Sequence, residues 1–435
     1  MSNELASHYA LLLGLAAPWV VRQVDLQMAQ RRVVIEVALA KGAKLPCPQC
    51  QKPCSLYDQG EERTWRHLDT MQFETQLRAR VPRCSCQEHG VKSAEVPWAG
   101  KNSRLTWLLT EFVLALLRLS ESVEAVAEFT GLDWHTVQAV QAKAVERGLQ
   151  RRAQPEGDAP QLAQVEHLGL DEKSFRRGQD YVSIACDLNN RRVLEVVPER
   201  TQSAGRAVLE KALPQAQRVN VQAIAIDLAE GYVQAARAVL PQAAIVHDRF
   251  HLERYLSRAV DVVRREEQKR ALREEGDESL KGSRWFWLRK FVTLKKILDE
   301  DGLRAFAALR QASKVVGRAW QRKEIFGALF LQPTRAMAER VLERWCRSAE
   351  RSRLQPMLAA ARSFRRHREG ILAFFEHHIT TALCEGFNAV IETMKKNARG
   401  FRRFDHFRAR ILFRLGKLDL RTPAAILRSS TPQPA

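Results

Sequence analysis

The chain has 435 residues, room for about three domains of ordinary size, and a hydrophobic fraction of 45% that suits globular cores. Its 70 Lys+Arg against 50 Asp+Glu leave a formal net charge of +20, with an isoelectric point near 10.0; such an excess points to a polyanionic partner, nucleic acid being the commonest, set against the plainer reading of a solvated basic surface. The longest apolar stretch, "LTWLLTEFVLALLRL" at 105–119, is broken by Glu111 and Arg118, which excludes a transmembrane span there and leaves no membrane partner to expect.

The run from Ala10 to Val21 follows Glu4, and no Lys or Arg precedes Arg22, so it does not read as a secretory signal and a cytoplasmic protein is expected. The cysteines agree. Five of the eight crowd between Cys47 and Cys86, which is not how a disulfide framework is spread. Cys47-Pro-Gln-Cys50 and the later "RCSCQEHG", with Cys84, Cys86 and His89, form two short-spaced ligand pairs that suit tetrahedral zinc. Either Cys86 or His89 completes the four ligands, and Cys54 is a spare thiol. Between the pairs "FETQLRARV" alternates as a strand does, which predicts a β unit stapled by one structural zinc.

"SVEAVAEFTGLDWHTVQAVQAKAVERGL" has helical periodicity on both sides of Thr130-Gly131-Leu132, and Asp133 is placed to cap the second helix. Small Ala127, the turn at Gly131 and the apolar Val137 and Val140 match the packing needs of a helix-turn-helix. Its second helix would present His135, Gln138 and Lys143 to a DNA groove; a plain helical hairpin in a core satisfies the same pattern. The Pro-, Gln- and Asp-rich segment 151–164 reads as a linker.

Strand patterns follow. In "HLGLD" Leu168 and Leu170 go to one face, and Gly169 and Asp171 to the other; "AIAID" does the same with Ile224 and Ile226 against Ala225 and Asp227. "YVSIACDLNNRRVLEVV" reads as a hairpin turning at Asn189-Asn190. A helix over 229–239, the apolar run "AAIVHD" and a further helix complete the order β-β-β-α-β-α. Carboxylates at strand ends are hard oxygen ligands suited to Mg²⁺, though the same residues also serve as helix caps and turn formers. If the C-terminal region is helical from about Thr381, then Glu385, Asn388, Glu392 and Lys396 share one stripe. The spacing does not separate a metal-facing stripe from a solvated one.

Taken together, the zinc pairs, "VPWA" (96–99), "LGLDE" (168–172), "IDLAEGY" (226–232), "IVHDRFHL" (245–252) and "CEGFNAVIETMKKNARGFRRF" (384–404) resemble the transposases of the ISL-three family of bacterial insertion sequences, over about residues 40–420. The resemblance implies a DDE catalytic domain of RNase H-like fold with Asp171, Asp227 and Glu385 as its acids, and with the strands bearing Asp171 and Asp227 side by side. Asp248 is the rival for the second position and is ranked lower because an Asp just before a helix serves as an N-cap. His251 is expected to be packed or DNA-facing. The Cys-x-Cys spacing at 84–86 and Cys384 before the glutamate depart from the family pattern.

The chain is therefore expected to be multidomain: a β/α segment at 1–45, a zinc-binding unit at 46–99, a helix-turn-helix at 100–150, the linker at 151–164, an RNase H-like α/β catalytic domain at 165–250 and 380–420 interrupted by an all-α insertion at 251–379, and a tail at 421–435. Trp285, Trp287, Trp320 and Trp345 read as core of that insertion; Arg264, Arg265, Lys269, Lys295 and Lys296 read as phosphate ligands or as a solvated face. The resemblance implies two Mg²⁺ (or Mn²⁺) ions, cleavage and strand transfer of double-stranded DNA at terminal inverted repeats, and action as a homodimer on the bacterial nucleoid. Lys395, Lys396, Arg399, Arg402 and Arg403 are expected on the DNA backbone. The alternative is a catalytically inactive DNA-binding regulator derived from a transposase; a structure-specific nuclease is the third reading.

Overall fold

The computed structural model describes residues 2–120, 122–154, 164–176, 178 and 180–423. Most of the expected linker and the tail from 424 onward lie outside the described residues. The chain divides into two compact units, one of residues 1–152 with 418–435 and one of residues 153–417.

The first unit begins with α1 (Ser2–Leu13), β1 (Trp19–Gln27), β2 (Arg32–Leu39), β3 (Leu45–Pro46), β4 (Pro53–Thr70), β5 (Phe73–Cys86) and β6 (Gly90–Ser93). The sheet order is β1-β2-β5-β4-β3, with β6 also paired to β5. The long β4–β5 hairpin turns at Met71 and Gln72, both at positive φ, the geometry that matches the twist of the flanking strands. The expected strand in "FETQLRARV" is the first half of β5. Its alternate residues Leu77, Ala79 and Val81 are buried with Val33, Ile35 and Val37 of β2, under a group of edge-to-face rings formed by Trp19, Trp65 and Trp98.

Three helices follow: α2 (Trp107–Leu119), α3 (Val123–Thr130) and α4 (Trp134–Ala153). Thr106 caps α2 and Ser122 caps α3 through side-chain oxygens. Gly131 ends α3 in the left-handed region, at φ 66°, and the Asp133 carboxylate accepts from Thr136 N at 2.9 Å to start α4. Ala127, Val137 and Val140 are buried.

The second unit is built on β7 (His167–Ser174), β8 (Tyr181–Asp187), β9 (Arg192–Pro198), α5 (Gln202–Ala212), α6 (Gln215–Arg218), β10 (Ala223–Ile226), α7 (Glu230–Val239) and β11 (Ala244–His247). The strand order is β11-β10-β7-β8-β9. The first three are parallel, while β8 and β9 form the antiparallel hairpin predicted around Asn189-Asn190. Asp187 holds that turn, accepting from Asn190 N (3.0 Å), Asn190 Nδ2 (2.8 Å) and Arg192 Nε (2.9 Å). The alternation read in the sequence is realised: Leu168, Leu170, Ile224 and Ile226 pack on α5 and α7, while Ala223 and Ala225 face Val246, Ala373 and Ile379.

After β11 the chain becomes helical: α8 (Arg249–Glu275), α9 (Arg284–Leu288), α10 (Phe291–Ile297), α11 (Glu300–Ala312), α12 (Lys314–Phe326), α13 (Arg335–Glu350), α14 (Gln355–Arg366), α15 (Arg368–Leu372), α16 (Phe374–His377), α17 (Ala382–Asn397) and α18 (Phe404–Leu415). Trp287, Trp320 and Trp345 join Phe306, Phe326 and Phe364 in its core. Trp285 does not; it is 41% exposed, beneath the Arg289 guanidinium. Arg264 is buried against Asp261 and so is unavailable to phosphate.

Candidate active site and metal centre

Two turns build the cysteine site. Cys47 and Cys50 flank one, closed by Gln51 N to Cys47 O and Cys47 N to Lys52 O, both 2.9 Å. Cys86 and His89 flank the other, where the pairing of Cys86 with Gly90 closes the β5–β6 hairpin. The donor atoms of Cys47, Cys50, Cys86 and His89 all lie within 4.8 Å of one another. Cys50 Sγ is 3.7 Å from Cys86 Sγ, and His89 Nδ1 is 3.6 Å from Cys86 Sγ and 3.9 Å from Cys47 Sγ. A tetrahedron with metal–sulfur bonds of about 2.3 Å has edges of about 3.8 Å, so this donor set fits zinc.

The geometry corrects the expected ligand set. Cys86 and His89 both join the group, and Cys84 stays outside it. Cys84 pairs with Leu56 inside the sheet, whereas Cys86 stands at the strand end where the turn returns His89. The readable signal was the two-residue spacing of Cys86 and His89, which repeats that of Cys47 and Cys50. The His89 N–H beside Cys86 holds its thiol down at about 7, while burial pushes Cys54 up to about 11.

In the second unit, parallel register sets the acids. Leu170 pairs with Ile226, and Ile226 with His247, so Asp171, Asp227 and Asp248 each follow at the same end of three neighbouring strands. Asp171 Oδ1 accepts from Glu172 N (2.8 Å), and its Oδ2 from Asn388 Nδ2 (2.8 Å). Asp227 Oδ1 accepts from Ala229 N (2.8 Å), and His247 Nδ1 lies 3.1 Å from the Asp227 carbonyl. Burial pushes the Asp171 carboxyl up to about 6, with the nearby Asp227 charge acting in the same direction.

Asp248 does two structural jobs. Its Oδ1 caps α8 by accepting from Phe250 N (2.7 Å), and its Oδ2 accepts from Thr381 N (2.8 Å) at the start of α17. Helix α17 lies against β7. Gly169 makes this possible, since a Cβ there would stand 2.5 Å from Cys384 Sγ. From that contact the polar stripe runs along the strand: Asn388 meets Asp171, Glu392 pairs with Lys173 (3.0 Å), and Lys395 Nζ donates to Ser174 O (2.8 Å). The last member is thus Lys395; Lys396 is exposed. Glu385, one turn before Asn388, has its carboxyl pushed up by burial, opposed by His251 and reinforced by Asp248.

His251, expected as a packed or DNA-facing residue, interacts electrostatically with both Asp171 and Glu385. Its Nε2 is buried and has no hydrogen-bond partner. Asp171 thus lies within electrostatic reach of Asp227, Glu385 within reach of Asp248, and His251 within reach of both Asp171 and Glu385. The sequence offered only proximity to Asp248 as a hint.

Residues 168–411, more than half of the chain, match a family model described as a transposase. Residues 94–145 match the helix-turn-helix domain of transposase family ISL3, and 44–89 match the zinc-finger of transposase IS204/IS1001/IS1096/IS1165. The chain belongs to the ISL3 family of transposases. It is 29% identical over 365 residues to the transposase for insertion sequence element IS1001 of Bordetella parapertussis, covering 83% of this chain and 86% of that one. It is 26% identical over 422 residues to the transposase for insertion sequence element IS1557 of Mycobacterium tuberculosis, covering 91% and 92%. The Drosophila P element transposase strand transfer complex aligns over 74% of this chain and 94% of its own at 10% identity and a TM-score of 0.35, too slight a likeness to bear on the fold.

In this ISL3 transposase the residues expected to meet DNA are placed unevenly. His135 and Lys143 lie on the exposed side of α4 with Ala139, Ala142 and Glu146. Gln138 does not: it is 5% exposed and turned to the face that buries Val137, Gln141 and Ala144, which corrects its expected place in a groove. Arg399, Arg402 and Arg403 are exposed after α17, in a loop whose carbonyls at 401 and 402 accept from Arg176. No helix among the described residues is long and apolar enough to cross a membrane.

Proposed function

We propose that this ISL3 transposase cuts DNA at the terminal inverted repeats of an insertion sequence and joins the freed 3′ ends to a target by phosphoryl transfer, with Asp171, Asp227 and Glu385 as its catalytic carboxylates. The observation that carries the reading is the placement of Asp171 beside Asp227 on adjacent strands, with the helix bearing Glu385 laid against β7 by Gly169 and by the bond from Asn388 to Asp171. The order β11-β10-β7-β8-β9 supports an RNase H-like catalytic domain over 165–250 and 380–420, with 251–379 as its all-α insertion.

The acids fit divalent cations. Asp171, Asp227 and Glu385 have no ion pair with Lys or Arg among the described residues, and burial already disfavours the charge on Asp171 and Glu385. Two Mg²⁺ (or Mn²⁺) ions bound there supply an activated nucleophile and neutralise the leaving oxygen of an in-line displacement. The chain's own part is positional. Asn388 turns Asp171 Oδ2, Asp248 anchors the start of α17, and the pair of Lys173 with Glu392 holds that helix along β7. His251 lies within electrostatic reach of Asp171 and Glu385, and its buried Nε2 has no hydrogen-bond partner among the described residues, which leaves that nitrogen free for a role at the site.

The zinc held by Cys47, Cys50, Cys86 and His89 fixes the β unit at 46–99, which with the helix-turn-helix at 100–150 recognises the repeats through His135 and Lys143; Lys396, Arg399, Arg402 and Arg403 grip the backbone near the acids. We place the protein as a homodimer acting on the nucleoid.

End-mapped cleavage of a DNA fragment carrying the gene and both flanks, with Mg²⁺ or Mn²⁺, tests this. Wild type should cut at matched inverted ends, and Asp227→Asn should bind those ends without cutting. Tight end binding with no cut under either metal would instead support the inactive regulator, and cutting without regard to the ends would support the nuclease.

A further inference from the structure

On the second unit, α13 has two opposite stripes. Ala338, Leu342, Trp345 and Ala349 are buried in the helical core. Arg340, Arg344, Arg347 and Arg351 repeat the same steps of four, three and four residues on the other side, and all four are exposed. With Arg322 of α12 and Arg368 of α15 they line a groove of about 720 Å³.

The charges in this groove are not balanced from within. Six arginines face two glutamates, Glu339 and Glu343. Glu339 pairs with Arg368; Glu343 is shared by Arg347 at 3.1 Å and Arg365 at 2.6 Å. Arg322 donates to backbone carbonyls of Ser348 and Arg318. Arg344 and Arg351 have no acidic partner among the described residues. Like charges one helical turn apart destabilise a helix, so a bare arginine stripe costs stability in the free protein and is relieved by an anion. The stripe from Arg340 to Arg351 is long for a small anion: at 1.5 Å per residue it extends about 16 Å, or about five base steps of a duplex.

We infer that this groove is a docking surface for the phosphate backbone of duplex DNA, separate from the acidic site and from the N-terminal modules. The inference rests on the proposed action on DNA and deepens it. Continuity supports the choice of occupant. Arg368 is two residues before Gly370, which lies against the His247 ring; His247 in turn ends β11 immediately before Asp248. One end of the groove therefore adjoins β11, the edge strand of the sheet that carries the acids. Arginine suits this task, because its planar fork stays charged and binds phosphate oxygens in pairs.

The test is binding of full-length protein to the end-bearing fragment over a salt titration from about 50 to 200 mM, comparing wild type, Arg344→Gln/Arg351→Gln and the exposed control Arg304→Gln. The double variant should bind about tenfold more weakly, with a salt slope shallower by about 2, while the control stays within about twofold of wild type. Its thermal midpoint should equal or slightly exceed that of wild type, since the substitutions relieve repulsion. Unchanged affinity and slope in the double variant would overturn the groove, as would an equal loss in the control, or a loss confined to duplex RNA. If wild type binds the ends without cutting them, the catalytic reading falls and the groove stands on its binding result; if the double variant binds and cuts as wild type does, the groove falls alone.

Discussion

Asp171 sits where its own charge is disfavoured. Burial lifts its carboxyl to about 6 from an ordinary 3.8, so the folded protein holds the proton more tightly than the unfolded chain does. The stability this contributes is complete below the unfolded value and is lost as pH rises through about 6; above that, the ionised group costs on the order of 3 kcal/mol. Asp171→Asn keeps the shape and removes the charge. In magnesium-free buffer the variant should melt a few degrees above wild type at pH 8 and level with it at pH 4, a difference that thermal denaturation at the two values checks. An equal midpoint at both would mean that the carboxyl is not held against its charge. The strand-end position of Asp171 was plain in "HLGLD", because alternation is a property of neighbours. Its electrostatic state was not, since it depends on Asp227 and His251, which come from other elements.

Among the elements, α17 and β7 are joined at one small residue. Gly169 carries no strained φ; what matters is room, because a Cβ would meet Cys384 Sγ at 2.5 Å and Leu188 at 3.0 Å. Gly169→Ala should push α17 away from β7, break the bond from Asn388 to Asp171, and lower strand cleavage by roughly a hundredfold with end binding intact. Adding Cys384→Ala removes the obstructing sulfur and should restore most of the cleavage. If cleavage stays low in the double variant, the contact is not what positions the helix. Cys384, the residue before the glutamate and a departure from the family pattern, is the one that meets this glycine. The helix itself and its polar stripe were legible from spacing. The exchange of Lys395 for Lys396 at its end was not, because a stripe about three residues wide admits either until the partner strand selects one.

At the scale of the molecule, two units with separate cores should unfold separately. Calorimetry should show two transitions, and stripping zinc with a strong chelator should lower one of them by roughly 10 °C or more while sparing the other. Zinc content after purification should fall in Cys86→Ser and stay near one per chain in Cys84→Ser; the reverse would reinstate Cys84 as a ligand. The sequence by itself determined what short-range periodicity and spacing encode: the strands that end in acids, the hairpin at Asn189-Asn190, the capped helix pair around Gly131, three of the four tryptophans assigned to the helical core, and the charge that calls for a polyanion. The tertiary structure alone decided which cysteines converge, that Gln138 faces inward, that Asp248 binds the start of α17, and that His251 faces the acids. Those outcomes depend on register and packing between segments tens to hundreds of residues apart, and no local pattern carries information about a distant partner's position.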